Sequence, residues 1–597
     1  MLQRVTPLFE SMNSDELVET SRKLTELGLK LFSKSMDPNN GPTGSKLDDP
    51  LGLAKASLEL SRAAWANPGR IAAAQLTLWW DYANLAQRTA LRLMGGQADS
   101  VIEPEAGDRR FRHVGWDDHL AFDVIKQAYL LTSRAWVDLV KDFDELDERT
   151  QRKLAFTISQ AADALSPSNF AFTNPEVLQA IAESGGKNLM DGMQNLMSDL
   201  ADSDGQLDIK TADLEAYEVG EHLAVTPGKV IFQNDLMQLI QYAPSTEQVY
   251  RTPLLVMPPW MNKFYIMDLR PGNSMMEWLV DQGHTVFMVS WVNPDERLAN
   301  KGFEDYMLEG PIAALDAIQE ATGERQVNVA GYCLGGILLS AVAAWLKAKG
   351  DDRIKSASYL TTMVDFCDTG EVSLFIDEDG IDSLEEHINE RGFLDGKLVD
   401  VTFRTLRAND LIWSFFINSY LLGKSPKPFD ILYWNADSTN MTAATHTFFM
   451  RNMYLENRLR EPGGITLAGV PIDVTRVDTP AYVLSTKEDH IAPWKTGYAS
   501  AKLFAGPTTF LLGASGHIAG VVNPPEKQKY SYWTNDAFPA DPDTWLDSAT
   551  EHAGSWWPHW MEWLKPYAGE LVPARTPGDG NLTPIEDAPG SYVKVRL

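Results

Sequence analysis

Cysteine is nearly absent from this sequence, which has 2 among 597 residues. So few cysteines exclude the disulfide framework of a small secreted protein and suit a reducing cytoplasm. Long apolar runs are absent too, because the longest uncharged one, near residues 337–346, is well short of the roughly 18 residues that cross a bilayer. The N-terminal stretch MLQRVTPLFESMNSDE also lacks the apolar segment of a secretory signal. We therefore expect a cytoplasmic protein without a transmembrane segment.

Positive charge is scarce as well. The chain carries 52 Lys and Arg against 82 Asp and Glu, which gives a formal net charge of −30 at pH 7. A surface with this balance repels nucleic-acid phosphates, so we expect no nucleic-acid partner. It also repels anionic substrates at long range, and such a substrate would need a local basic patch in its site.

The pattern of apolar residues divides the chain into a helical part and an α/β part. Up to about residue 200, apolar stripes at helical spacing, such as Phe122, Ile125 and Tyr129, predict helices. After a polar, acidic stretch, GKVIFQNDLMQLIQY predicts a hairpin, and short apolar runs then alternate with helical patterns. That alternation is typical of a parallel sheet covered by helices. The predicted strands cover residues 253–257, 285–290, 327–331, 358–364, 481–485 and 509–512.

A long mixed segment at about 368–440 interrupts this alternation. Large insertions into an α/β sheet are commonly lids over the active site. We predict a lid or cap whose aromatic side chains exclude water, and the alternative is that the segment only packs against the sheet. The aromatic side chains concerned are Trp413, Phe415, Phe416 and Tyr420.

The motif GYCLG at residues 331–335 matches the G-x-S-x-G nucleophile elbow, with Cys333 at the serine position. It follows the strand-like QVNVAG and precedes the helix-like ILLSAVAAWLKAK, which is the context that the motif requires. Side chains at the glycine positions would collide where the strand turns into the helix. We interpret Cys333 as the nucleophile of an α/β-hydrolase fold, and the alternative is a buried, inert cysteine. Cys367 has no elbow, and we interpret it as structural.

In this fold the acid and the histidine follow the nucleophile in that order. His517 comes shortly after the strand-like TTFLLG, on a turn of small residues, where the catalytic histidine is expected. The later His552 and His559 lie in the Trp-rich stretch EHAGSWWPHWMEW, which we predict to be helical. We interpret these two histidines as packing or surface residues.

The acid is expected in the loop after the strand-like PAYVLS, within TKEDHIAPW. We predict Asp489, with Glu488 as the alternative, because their spacing does not separate them. The neighbouring His490 either shapes the pocket or anchors its loop.

An oxyanion hole is expected from the fold. One donor is the backbone N–H of Leu334, the residue after the nucleophile. The other is predicted to be the N–H of Met261, in the loop VMPPWMNKFYIMD that follows the first strand of the sheet.

Beyond these motifs, the chain resembles the polyhydroxyalkanoate synthases, specifically the class I type. The resemblance is carried by PPWMNKFYIMDLRPGNSMMEWLVDQGHTVFMVSWVNPD, GYCLGG, STKEDHIAPW and GASGHIAGVVNPP, and in the helical part by VIEPEAGDRRF and LSPSNFAFTNPE. Only about the first sixty residues are unmatched. We therefore expect a variable segment at 1–60, a helical N-terminal domain at 61–214 and an α/β-hydrolase catalytic domain at 215–597, with the lid at about 368–440.

This resemblance implies that the enzyme polymerises (R)-3-hydroxyacyl-CoA into a polyester and releases CoA. By analogy with the family, the length of the polypeptide favours 3-hydroxybutyryl-CoA as the substrate. It implies Cys333 as the nucleophile, Asp489 as the acid and His517 as the base. It also implies a homodimer on cytoplasmic polyhydroxyalkanoate granules, with granule-associated proteins as further partners. We expect no cofactor and no metal, since the CoA thioester is itself the substrate. Trp434 matches an aromatic residue near the family's pocket, whereas the bulky Trp260 stands where a small residue is expected.

Two other functions are compatible with parts of the sequence. A cysteine-elbow hydrolase, such as an intracellular polyester depolymerase or a lactone-opening enzyme, would share the three catalytic residues but not the helical N-terminal part. An inactive α/β-hydrolase-like scaffold that coats granules would not need those residues intact and in fold order.

Overall fold

The computed structural model describes residues 53–105, 107–203 and 207–597. Most of the segment predicted to be variable, up to residue 52, lies outside these residues. The chain divides into two compact units. The first combines the described residues up to Asp213 with Val401–Lys427, and the second combines Leu214–Asp400 with Pro428–Leu597.

The first unit is helical, as predicted for the N-terminal part of the chain. The helix Pro175–Ser184 illustrates why these sequences form helices. Asn174 caps its first turn by accepting a hydrogen bond from the Glu176 N–H at 2.9 Å, and Gly185 ends it in the left-handed conformation, with φ of 63°. The α-helices of this part are Leu53–Ala66, Pro68–Leu93, Gly115–Asp118, Leu120–Lys141, Glu148–Ala164, Pro175–Ser184 and Lys187–Asp202.

The aromatic run predicted to belong to the lid is part of this first unit. Phe416 and Tyr420 are buried in one apolar cluster with Val177 and other residues of the preceding helices. The Tyr420 hydroxyl donates a hydrogen bond of 2.6 Å to Asp199 Oδ2. The packing of this run is therefore explained by the helices of its own unit, and its function as a lid stays a prediction. The run forms the helical segments Asn409–Trp413, Ser414–Phe416 and Ile417–Leu421, and the α-helix Gly396–Leu406 precedes it.

The second unit is built on an eleven-stranded sheet. Its strands, which we number in chain order, are β1 (Gly228–Gln233), β2 (Met237–Tyr242), β3 (Leu254–Met257), β4 (Val286–Trp291), β5 (Val327–Tyr332), β6 (Ile354–Leu360), β7 (Ala481–Thr486), β8 (Thr508–Gly513), β9 (Ser531–Thr534), β10 (Thr550–Ala553) and β11 (Glu586–Asp587).

The order of the strands across this sheet is β10-β9-β8-β7-β6-β5-β3-β4-β2-β1-β11. Neighbours from β4 through β3 to β8 are parallel, and the pairs outside this block are antiparallel. Helices cover the sheet, so strands such as β4 and β5 are buried along their whole length and consist mainly of apolar residues. The sheet, the α/β-hydrolase type of fold and the hairpin β1–β2 agree with the prediction. The shorter strand pairs are Gln248–Tyr250 with Leu571–Pro573, Phe393–Leu394 with Met441–Thr442, and Thr466–Leu467 with Val470–Pro471.

The α-helices of the second unit connect and flank the strands. No helix in the described part of the chain is both long enough and apolar enough to cross a membrane. The α-helices are Met275–Asp281, Phe303–Met307, Ala313–Thr322, Leu334–Lys349, Glu378–Arg391, Asp430–Ala436, Ala443–Phe449, Trp494–Ala501, Pro542–Asp547 and Trp557–Ala568.

Two local predictions were wrong. The strand expected at 358–364 begins earlier and ends at Leu360, because Thr361 has a φ of 46° that breaks the extended conformation, and Lys355 near its start conceals the apolar pattern. His552 lies on β10, opposite Tyr532, instead of on a helix. The helix that was predicted there begins only after Gly554, which has a φ of 96° and ends the strand.

Candidate active site

Cys333 occupies the sharp corner between β5 and the helix Leu334–Lys349. Its φ of 52° and ψ of −118° are rare for a residue with a side chain, and such strain persists only where neighbouring bonds enforce it. The Cys333 N–H donates to the Leu360 carbonyl of β6 at 2.9 Å. Its carbonyl accepts from the N–H groups of Gly336 and Ile337 at 2.9 and 3.2 Å. These bonds fix the corner and leave the thiol partly exposed.

The glycines of the motif are required by the close approach of backbone and side chains. A Cβ on Gly331 would lie 2.5 Å from Cα of Gly336, and one on Gly336 would lie 2.0 Å from Oγ1 of Thr362. A Cβ on Gly335 would lie 2.1 Å from the carbonyl oxygen of Met257. Real Cβ atoms essentially never approach within 3.0 Å, so any other residue at these positions would force neighbouring atoms to move.

Asp489 and His517 meet at one edge of the sheet because they follow the neighbouring parallel strands β7 and β8. His517 Nδ1 and Asp489 Oδ2 are 2.7 Å apart, and both residues are buried. The other oxygen, Asp489 Oδ1, accepts from the N–H groups of Ile491 and Ala492 at 2.8 and 2.9 Å. The ring of Tyr332, the residue before Cys333, lies 5.5 Å from the ring of His517, and the Cys333 sulfur contributes to raising the pKa of His517, so the thiol lies close to the imidazole. The structure thus brings the three predicted catalytic residues together.

The charges in this group reinforce one another. Burial alone would lower the pKa of His517, but the Asp489 carboxylate and the Cys333 sulfur outweigh burial and raise that pKa well above its usual value. Burial alone would raise the pKa of Asp489, but His517 and the two backbone N–H groups outweigh it and lower that pKa. A raised pKa makes this imidazole a stronger base, which suits it to take a proton from a neighbouring thiol.

The structure also distinguishes between candidate residues that the sequence left undecided. Glu488 is exposed, and its backbone N–H bonds to the Ser515 carbonyl at 2.9 Å, so Asp489 is the residue that contacts His517. His490 is half-buried in the same loop, and its contribution to a pocket stays a prediction. Cys367 is exposed. Although the residue as a whole is exposed, partial desolvation of its sulfur and the nearby Asp365 raise the pKa of its thiol, which disfavours the reactive thiolate.

The two predicted oxyanion donors lie on adjoining segments. Leu334 is the first residue of its helix, so its N–H has no acceptor within that helix. Met261 is half-buried in the loop that follows β3. That loop begins against the elbow, because a Cβ on Gly335 would meet the carbonyl oxygens of Met257 and Pro258 at 2.1 and 2.7 Å. The use of both N–H groups as oxyanion donors stays a prediction.

Two tryptophans pack with this loop, Trp260 within it and Trp434 in the helix Asp430–Ala436. Trp260 is 2 % exposed, and its ring packs against those of Phe303 and Phe449 with centroids 5.7 and 5.5 Å away, so its bulk fills the core. The buried Trp434 donates from Nε1 to the Lys263 carbonyl at 2.7 Å. Trp434 therefore supports the loop from outside, and its predicted place in the pocket stays a prediction.

Sequence reasoning missed a buried polar group on the same loop. Lys263 Nζ contacts Asp437 Oδ1 at 2.7 Å, and the Tyr265 hydroxyl donates to Asp437 Oδ2 at 2.8 Å. Lys263 and Asp437 are 174 residues apart, so no motif spacing relates them, and the available signal was only a lysine within an apolar stretch. Tyr454 was also missed: burial and the negative charges of Cys333 and Asp489 raise its pKa, which places it close to the catalytic group.

Known proteins are similar to this chain over most of its length. A family model described as "Poly-beta-hydroxybutyrate polymerase (PhaC) N-terminus" matches residues 107–279, and one described as "alpha/beta hydrolase fold" matches residues 240–524. The "Poly(3-hydroxyalkanoate) polymerase subunit PhaC" of Rhizobium meliloti is 47% identical over 544 residues, which are 91% of this chain and 89% of that protein. The "Poly(3-hydroxyalkanoate) polymerase" of Methylorubrum extorquens is 45% identical over 596 residues, 99% of this chain and 98% of that protein. The PhaC subunit of Cupriavidus necator is 43% identical over 496 residues, 82% of this chain and 83% of that protein.

Proposed function

Because this chain belongs to the family of poly(3-hydroxyalkanoate) polymerases, we propose that it builds polyester from (R)-3-hydroxyacyl-CoA through an acyl thioester on Cys333. The expected substrate is 3-hydroxybutyryl-CoA. Each cycle joins one hydroxyacyl unit to the growing chain and releases one CoA. The cycle needs no cofactor or metal, since the substrate thioester already carries the leaving group.

In the first step the Cys333 thiol transfers its proton to His517, and the thiolate attacks the carbonyl carbon of the substrate thioester. Nδ1 of His517 is occupied by Asp489, so Nε2 is the nitrogen that takes the proton. The tetrahedral oxyanion collapses, the bond from the carbonyl carbon to CoA sulfur breaks, and His517 returns the proton to the departing thiolate. The N–H groups of Leu334 and Met261 stabilise the oxyanion.

In the second step a 3-hydroxyl group attacks the acyl thioester on Cys333. His517 takes the hydroxyl proton, an oxygen–acyl bond forms, and the bond from the acyl carbon to the cysteine sulfur breaks. Asp489 stabilises the imidazolium in each half of the cycle, because its carboxylate contacts Nδ1 directly. The thiolate is then ready for the next substrate.

Sulfur suits this chemistry better than oxygen. Exchange of the CoA thioester for a cysteine thioester keeps the acyl group activated, and only the second step forms the more stable oxoester. A serine would form an oxoester in the first step, close in energy to the ester bonds of the product. Water competes with the 3-hydroxyl group in the second step, and exclusion of water is the role we assign to the lid predicted at 368–440.

The observation that supports this function most directly is the buried contact of 2.7 Å between His517 and Asp489, beside an elbow cysteine. The test supplies (R)-3-hydroxybutyryl-CoA, follows CoA release and weighs insoluble product. A polymerase releases CoA while polymer accumulates, whereas a hydrolase of the same fold would release stoichiometric 3-hydroxybutyrate. The Cys333→Ala variant should release no CoA, and mass spectrometry of the wild-type enzyme should find the acyl group on Cys333. Full CoA release by that variant would refute the mechanism.

The homodimer and the granule location belong to the same proposal. A homodimer predicts an elution volume in size-exclusion chromatography that corresponds to twice the mass of the 66.5 kDa chain. Attachment to polyhydroxyalkanoate granules predicts that the enzyme sediments with purified polymer particles. A monomer with full activity would contradict the first point, and an enzyme that stays in the supernatant would contradict the second.

A further inference from the structure

The loop after β3 is fastened to residues 434–439 by a set of polar contacts. Both segments belong to the second unit. Within the loop, the N–H of Asn262 donates to Thr439 Oγ1 at 2.7 Å, and Lys263 Nζ contacts Asp437 Oδ1 at 2.7 Å. Tyr265 donates its hydroxyl to the second oxygen of Asp437 at 2.8 Å. The Lys263 carbonyl accepts from Trp434 Nε1 at 2.7 Å. Four contacts thus act on residues 262–265, directly after Met261.

The ion pair in this set is deeply buried. The side chains of Lys263 and Asp437 are each 3 % exposed. Burial lowers the pKa of Lys263 and raises that of Asp437, and their mutual attraction opposes but does not cancel either effect. Arg596 approaches Asp437 Oδ1 only to 4.0 Å. Buried ion pairs contribute little net stability, because desolvation offsets the attraction. The geometry that this pair imposes is therefore a better explanation of its presence than stability.

The backbone that the pair holds is unusual. Asn262 has a φ of 71°, in the left-handed region, which few residues other than glycine and asparagine adopt. Its N–H belongs to the peptide that joins it to Met261, so the hydrogen bond to Thr439 fixes the plane of that peptide. The next residue, Lys263, is held at two points: its side chain contacts Asp437, and its carbonyl accepts from Trp434. The Met261 N–H belongs to the preceding peptide, so these contacts act on its orientation through the Cα of Met261, where the two peptides meet.

We infer that Lys263, Asp437 and Thr439 are positioning residues that aim the Met261 N–H at the oxyanion formed on the substrate carbonyl. This inference rests on the proposed function, because it assumes acyl transfer to Cys333 with Met261 as a donor. None of the three residues needs to touch the substrate. They act by holding the loop in the geometry that the transition state requires.

The test compares two reactions of the same thiol in full-length variants. CoA release from (R)-3-hydroxybutyryl-CoA needs the oxyanion donors, whereas alkylation of Cys333 by iodoacetamide needs only the thiolate. Asp437→Asn removes the charge that holds Lys263 and keeps the shape of the side chain. Thr439→Val removes the acceptor for the Asn262 N–H and has nearly the same shape. It therefore tests the same inference if Asp437→Asn fails to fold. Asp430→Asn is the matched control.

Asp430 suits this purpose because it is also a buried carboxylate of the same helical segment. It is paired with Arg270 at 2.7 Å and accepts a hydrogen bond from Asn273 at 2.8 Å, but it makes no contact of this kind with residues 261–265. Loss of an oxyanion donor typically lowers kcat about 10²–10³-fold. We expect Asp437→Asn to lower kcat for CoA release by about 100-fold and Thr439→Val by about 10-fold, with KM changed less than threefold. Alkylation rates should stay within twofold of wild type, and Asp430→Asn should match wild type in both reactions.

Three results would overturn the inference: CoA release that is unchanged in both test variants, alkylation that falls in parallel with CoA release, or an equal loss of CoA release in Asp430→Asn. The proposed function fails on different grounds, namely acyl label absent from Cys333 of the wild-type enzyme. If the label is on Cys333 and both test variants are fully active, only the positioning role is wrong.

Discussion

The Gly335→Ala substitution tests the elbow at its tightest point. The added Cβ would lie 2.1 Å from the carbonyl oxygen of Met257 and 2.7 Å from that of Pro258. Both neighbours are backbone atoms at the end of β3, so neither can rotate away as a flexible side chain could. To reach the 3.0 Å limit of real Cβ contacts, the start of the helix must move away from β3 by about 0.9 Å.

This displacement has a calculable effect on the reaction. It changes the distance between the N–H of Leu334, which moves with the helix, and the N–H of Met261, which stays with the loop. A misplacement of about 1 Å in an active site can lower the rate about 100-fold, which corresponds to about 3 kcal/mol of activation free energy. Overpacking also lowers the free energy of unfolding by about 1–3 kcal/mol. We therefore expect a folded enzyme with kcat reduced about 100-fold.

The assay measures CoA release from (R)-3-hydroxybutyryl-CoA together with thermal unfolding. Gly69→Ala is the control, because a Cβ there meets no atom within 4 Å, and alanine favours a helix by about 1 kcal/mol over glycine. Gly69→Ala should leave kcat unchanged and unfold at the same or a slightly higher temperature. A Gly335→Ala enzyme with wild-type kcat would refute the steric reasoning, since backbone atoms cannot tolerate that contact.

Three further predictions concern titratable groups. Cys367→Ser should retain CoA release within twofold of wild type, because this thiol is exposed and its raised pKa disfavours the thiolate; a large loss would assign it a function. Asp489→Asn should lower kcat about 10²–10⁴-fold, and because it removes the charge that raises the pKa of His517, alkylation of Cys333 by iodoacetamide should need a higher pH; an unchanged alkylation profile would contradict the charge argument. Burial raises the pKa of Asp268 to about 6, although Thr226, Ser274 and Tyr242 donate hydrogen bonds to it. Because the unfolded pKa is about 3.9, the folded state holds this proton more tightly, so its stabilising contribution is complete below pH 4 and is lost as pH rises through about 6. Asp268→Asn should therefore remove about 2 kcal/mol of pH dependence between pH 4 and 7, measured as the difference from wild type in urea unfolding; identical pH profiles would show that the carboxyl is not shifted.

The parts of the site that local sequence specifies were predictable. The elbow needs glycines at fixed distances from Cys333, and the fold dictates that the acid and the base follow the next strands in order, so a motif and its context were sufficient. The sequence could not decide between Asp489 and Glu488, because the direction in which each side chain leaves the loop depends on the folded backbone. The Asn262 N–H and its acceptor Thr439 are 177 residues apart, and no periodicity relates such positions.

In the fold, too, features set by local sequence were predictable and contacts between distant residues were not. Buried strands such as β4 and β5 are continuous apolar runs, and their positions were predicted closely. The start of β6 was missed because Lys355 interrupts its apolar pattern, and His552 was misplaced because the Trp-rich helical pattern that follows it begins only at Trp557. The membership of residues 401–427 in the helical unit was not foreseen, since their partners in that unit precede them by about two hundred positions.

That membership has a consequence for the order of events on the ribosome. The helices Pro175–Ser184 and Lys187–Asp202 complete their apolar cluster with side chains at 413–422, which are translated much later. At about 5–20 residues per second, the interval between Asp213 and Lys427 lasts roughly 10–40 s. Throughout that time the nascent helical unit exposes the surface that Phe416 and Tyr420 will cover. Its protection during synthesis, by chaperones or by transient self-packing, is therefore a requirement that the topology of this chain imposes.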